Sequence, residues 1–187
     1  VIRPGDVIGF SGKGLISDLI NVATYGIPRY SISHVGIVAN FNSYQLLFES
    51  TTLDDEPCVI LQARIAGVQA HTLEHRIATY DGKVYHYPLR KKLNPAQSQA
   101  LTRFLHAKIG APYDNIGAFR SGGVGLSWIE SLLRKENLSS IYCSELIAAA
   151  HRYVGAFHTD NVSRYNPNRL VRTEIHEGIL LPPRRLR

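Results

Sequence analysis

The chain has 187 residues, with 21 Lys and Arg against 15 Asp and Glu, 44% hydrophobic residues and 19% charged ones. That length suits one compact domain over residues 1–187, and the composition excludes a disordered or low-complexity chain. No run of 18 apolar residues occurs, which excludes a membrane-spanning helix, and two Cys build neither a disulfide framework nor a zinc-finger cluster.

Pro4-Gly5-Asp6 is turn chemistry ahead of Val7-Ile8-Gly9-Phe10, a short apolar run that reads as a strand. Residues 14–24 carry Leu15, Ile16, Leu19, Ile20 and Ala23 at helical spacing, and Gly26-Ile27-Pro28 stops that helix. His34 to Ala39 and Gln45 to Ser50 read as two strands, joined through the turn-like Asn40–Tyr44 into an antiparallel hairpin. Val59 to Ala63 and Val84 to Pro88 supply two further strands. Asn94-Pro95 opens an amphipathic helix to about Ile109, with Leu101, Phe104 and Leu105 on its apolar side. After Gly110–Asp114 and the glycine-rich Ser121–Gly125, Trp128–Leu133 looks helical and Tyr142–Tyr153 is a second apolar helix. Strands in a central run with helices before and after favour an α+β class, a central antiparallel sheet packed against helices.

Cys143 stands where the polar Ser139-Ser140 gives way to a helix. A cysteine in a first helical turn meets unpaired N–H groups and the positive end of the helix dipole, both of which favour thiolate. The plainer reading is a small buried hydrophobe. Cys58, after Pro57 in an acidic turn, has no such helix and is the weaker nucleophile. A nucleophilic cysteine needs a base held by a third polar group. His34 opens an otherwise apolar strand, and Glu49 ends the next one among Leu46, Leu47 and Phe48, where a buried carboxylate requires a partner. A hairpin turning near Phe41-Asn42 places 34 and 49 opposite or nearly so, whereas a slip of one residue would send Glu49 to the other face. Glu49→Gln is then expected to lower turnover and leave the fold intact.

In this order, PGDVIGF, YSISHVGIV, FEST, GAPYD and YCSEL resemble the YiiX/YebB-like group of circularly permuted papain-fold enzymes, in the NlpC-type amidase superfamily. The resemblance runs from Arg3 to about Tyr153. His34 precedes Cys143 by 109 positions, the permuted order. It implies a permuted papain-like fold, Cys143 as nucleophile, His34 as base and Glu49 as the orienting residue. It also implies that Tyr142, Ser33 and Tyr113 line the substrate site, and it calls for no metal or other cofactor. The activity implied is a cysteine amidase or peptidase acting through an acyl-enzyme, with a bacterial cell-wall peptide as substrate.

Two rivals remain. One is thioester or lipid-ester hydrolysis or acyl transfer, as in lecithin:retinol acyltransferase, favoured if the apolar stripe of Leu126, Trp128, Ile129, Leu132 and Leu133 lines the site. The other is a non-catalytic binding module, which expects Cys143 buried or far from His34. Gly12-Lys13-Gly14 lacks the spacing of a phosphate loop, and no nucleic-acid motif accompanies Arg90-Lys91-Lys92. Residues 94–187 hold 12 basic and 7 acidic side chains, against 9 and 8 in residues 1–93. The basic half suits peripheral contact with an anionic surface or substrate. The opening VIRPGDVIGF has no signal-peptide pattern, leaving cytoplasm and periplasm both open.

Overall fold

A computed structural model describes residues 1–12, 32–51, 56–111, 143–159, 161–162 and 165–187. The elements are β1 (Val7–Gly12), β2 (His34–Phe41), β3 (Tyr44–Thr51), β4 (Gly67–Thr72), α1 (Leu73–Thr79), β5 (Gly82–Tyr87), α2 (Pro95–Lys108), α3 (143–153), α4 (Pro167–His176) and β6 (Arg184–Arg185). Among the described residues the strands form one antiparallel sheet in the order β4-β3-β2-β1-β5-β6. The expected helix over 14–24, the Gly12-Lys13-Gly14 loop, the glycine-rich loop and the 126–133 stripe lie wholly or partly outside the described residues.

Alternation along the strands sorts the sheet into two faces. One bears Val7, Val35, Ile37, Ala39, Phe48, Val68 and Ala70, and packs on Leu101 and Leu105 of α2, Leu146 and Ile147 of α3, and Leu170 of α4. The other bears Ile8, Phe10, Val38, Leu47 and Val84, and is covered by α1 through Leu73 and Ile77 with Tyr80 beside it. The α+β class follows from this arrangement. Among the described residues no helix is long and apolar enough to cross a membrane.

Local chemistry fixes the elements that matter for the site. The β2–β3 hairpin turns at Asn42 (φ 47°) and Ser43 (φ 70°), with Phe41 opposite Tyr44, a two-residue turn needing positive φ at both positions. Gly5, at φ 88°, has Leu89 where a Cβ would stand, and its N–H donates to Val38 O at 2.8 Å. Asn94 caps α2 by accepting from Gln97 N–H at 2.8 Å, while Gln97 Oε1 accepts from Asn94 N–H at 3.1 Å.

One expectation needs correction. Residues 59–63 are no strand: they form a turn closed by the Cys58–Ala63 bridge, with Gln62 at φ 54°. Their apolar run misled because Val59 and Leu61 are 41% and 47% exposed rather than paired into the core. The turn lies on the outer edge of β4, where Val59 N–H donates to Ala70 O and Ala70 N–H donates to Cys58 Sγ. The strand on that side is β4, whose alternation is muted by two inward polar residues, Gln69 and His71.

Candidate active site

The register from Ile37–Phe48 to Phe41–Tyr44, continued toward the sheet end, sets Gly36 against Glu49 and His34 against Thr51. His34 and Glu49 therefore share a face as diagonal neighbours, within reach of long side chains. They meet, His34 Nε2 lying 2.7 Å from Glu49 Oε2. The approach to His34 is pinned from two sides. Ile32 N–H donates to Asn168 Oδ1 of α4 at 2.9 Å, and Ser33 N–H donates to Phe10 O at 2.9 Å.

Cys143 is the first described residue of α3, and a side-chain hydrogen bond joins it to His34. Glu49 occupies Nε2, which leaves Nδ1 of the ring for the sulfur. The neighbouring Ser144 hydroxyl donates to Tyr165 O, tying the start of α3 to the segment before α4. The structure thus brings together Cys143, His34 and Glu49 from three elements. Cys143 is fully buried, as the binding-module reading expects, but it touches His34, which that reading does not need.

Glu49 is also fully buried and receives more donors than the sequence reading supplied. His71 Nδ1 lies 3.0 Å from Oε1, Arg76 Nε donates to Oε1 at 2.8 Å, and Arg76 Nη2 to Oε2 at 3.4 Å. A carboxylate only accepts, so the proton on His71 sits at Nδ1. Both residues escaped the sequence reading. The signal for His71 was the alternation Val68, Gln69, Ala70, His71, legible once 67–72 is read as a strand; Arg76 had none, standing on a seven-residue helix with a weak pattern.

Ser33 lies beside His34, with its hydroxyl donating to Phe10 O at 3.2 Å and hydrogen-bonded to Tyr80. Tyr113 and Tyr142 lie outside the described residues. Cys58 is buried and its sulfur accepts from Ala70 N–H at 3.4 Å, a structural position.

The electrostatics follow from burial and pairing. Burial pushes the His34 imidazolium down, but the Cys143 thiolate, its hydrogen bond, and the hydrogen bond and charge of Glu49 outweigh that and raise its pKa from 6.5 to about 10. Burial likewise pushes Glu49 up, and is overcome by hydrogen bonds from His34 and His71 and the charges of His34 and Arg76, which hold it well below the usual carboxylate range. The arrangement holds an imidazole between a sulfur and a fixed carboxylate.

No protein-family model matches the chain, and no curated protein matches it in sequence. Among solved structures it is similar to the metalloprotein YiiX of Escherichia coli O157:H7, with a TM-score of 0.53 and 19% identity, over 94% of this chain and 81% of that one. The likeness shows a YiiX-like fold.

Proposed function

We propose that the chain is a cysteine hydrolase of the permuted papain type, cleaving an amide through Cys143, His34 and Glu49, with a cell-wall peptide as the substrate class. The observation that carries this reading is the contact of one imidazole with both a cysteine sulfur and a buried carboxylate. The YiiX-like fold and the order of the motifs support it.

His34 takes the Cys143 proton, and the sulfur becomes the nucleophile. The thiolate attacks the acyl carbonyl, and backbone N–H groups at the start of α3 meet the developing oxyanion. His34 gives its Nδ1 proton to the leaving amine, the C–N bond breaks, and a thioester remains on Cys143. Acylation removes the negative charge that raised the His34 pKa, and the imidazole becomes a competent base for the second half. It then takes a proton from water as hydroxide adds to the thioester, and returns that proton to sulfur as the acid leaves. Glu49 keeps the ring oriented throughout.

The metalloprotein neighbour raises the question of a metal at this place. The donor set does not fit one: His34, His71 and a guanidinium already occupy both Glu49 oxygens, and a guanidinium stands where a cation would bind. Among the described residues no group of three His, Cys, Asp or Glu side chains is arranged to hold an ion. No step here runs through a metal.

The test is iodoacetamide labelling followed by a substrate panel. Cys143 should take the label, His34→Ala should slow labelling at pH 6 at least about tenfold, and Cys143→Ala should abolish release of amine from muropeptides. The burial of Cys143 favours the binding-module reading on one count. That reading expects an inert Cys143, and labelling at Cys58 alone would establish it. Turnover of lipid esters without amide cleavage would move the assignment to acyl-ester chemistry.

A further inference from the structure

Arg76 stands outside the set that exchanges protons with substrate, yet it donates to both oxygens of Glu49. Its Nε and Nη2 reach both carboxylate oxygens, at 2.8 and 3.4 Å, across from the strand that supplies the acid. The last torsion of a glutamate is soft, and His34 and His71 pull on different oxygens from the strands on either side. We propose that Arg76 is a positioning residue: its guanidinium fork locks the Glu49 carboxylate with Oε2 turned to His34 and balances the charge of the buried set. This rests on the Cys143–His34–Glu49 reading.

Charge counting supports the assignment. Wherever their shared proton sits, Cys143 and His34 together are neutral, so the Glu49 carboxylate leaves one net negative charge in a buried site, and the guanidinium cancels it. Arg76 is itself held. Its side chain is 17% exposed, and its cation lies 5.0 Å from the Phe10 ring centre and 5.5 Å from that of Tyr80. The Phe10 ring also lies 5.8 Å from that of His34, tilted by 35°, so clamp and base share one aromatic neighbour. Packing of α1 through Leu73 and Ile77 aims the side chain down onto the sheet. Lysine would supply the charge without the fork.

The groups facing Glu49 are His34 on β2, His71 on β4, Arg76 on α1 and Tyr80 after it, with Cys143 of α3 acting through His34. Glu56 acts on Arg76, and Asp81 on Tyr80. Because Arg76 favours ionised Glu49, its removal lets the carboxylate protonate at higher pH.

Wild type, Arg76→Gln and Arg76→Lys are compared by two measurements that need no substrate. The first is the downfield proton resonance of the His34–Glu49 hydrogen bond, which does not depend on Cys143 reacting. The second is the pH profile of Cys143 alkylation. Arg76→Gln should lose the resonance and move the acid limb of alkylation toward neutral pH. Arg76→Lys should return the limb toward wild type without restoring the resonance, and amide turnover in both should fall by about 100-fold at little changed KM. A wild-type resonance and an unmoved acid limb in Arg76→Gln would overturn the proposal. If Arg76→Gln does not fold, folded Arg76→Lys decides alone, and an intact resonance there overturns it. An inert Cys143 in wild type refutes the nucleophile instead, while the resonance still tests the clamp.

Discussion

Glu49 behaves differently at the scale of a single residue from what its sequence setting implied. It accepts from His34, His71 and twice from Arg76, with no exposed surface. Glu49→Gln replaces one acceptor oxygen by an NH2 group, and every position around it already faces a donor. The variant should therefore lose about 1–3 kcal/mol of stability as well as activity, measured by urea unfolding beside turnover. Stability unchanged within error would mean that the donors rearrange around the amide. The carboxylate itself was legible because a lone acid at the end of an apolar strand demands a partner. Its other two partners were not, since nothing local to Arg76 marks the strand it leans over.

At the scale of elements, legibility followed how fully a segment's side chains agree with its backbone. Strands β1, β2, β3 and β5 are apolar runs bounded by turn residues, and α2 announces itself by Asn94-Pro95 and its apolar stripe. Segment 59–63 shows the reverse case, where apolar residues serve a turn on a sheet edge, and β4 shows polar residues serving a site inside a strand. The hairpin register carries a further consequence. Gly36 lies on the strand of His34, opposite Glu49, and a Cβ there would come 2.8 Å from Leu47 Cγ and Cδ1, in a fully buried side chain. Gly36→Ala should cost about 1–3 kcal/mol through overpacking, read as a lowered denaturation midpoint. It should also slow Cys143 labelling, because the strand that shifts carries His34. A wild-type midpoint would show that Leu47 yields freely.

At the scale of the whole molecule, another buried histidine–carboxylate pair stands far along α3, away from the Glu49 cluster. His151 Nδ1 lies 2.8 Å from Glu174 Oε1 of α4, and its Nε2 2.9 Å from Gly5 O, with both side chains fully buried. It ties the helix bearing Cys143 to α4 and to the turn before β1. Burial pushes the His151 imidazolium down, but the charge and hydrogen bond of Glu174 and the Gly5 carbonyl raise its pKa above 6.5. A raised histidine stabilises the fold fully below its unfolded value, and the contribution is lost as pH rises through the folded one. Thermal stability should fall on the alkaline side, with His34 adding a loss through about pH 10. His151→Leu, which leaves Glu174 buried without its partner, should cost about 3–5 kcal/mol and flatten that alkaline decline. An equally steep decline in the variant would assign it elsewhere.

The two ends of the sheet close differently, and the difference bears on how the protein behaves when concentrated. The turn over residues 58–63 takes up hydrogen-bonding groups of β4 at Ala70, and the opposite margin is the two-residue β6, with Arg184 and Arg185 both exposed. A second copy approaching that margin would set arginine against arginine before any backbone bond formed. Strand addition between molecules is thereby disfavoured by a fold of the chain at one margin and by charge at the other.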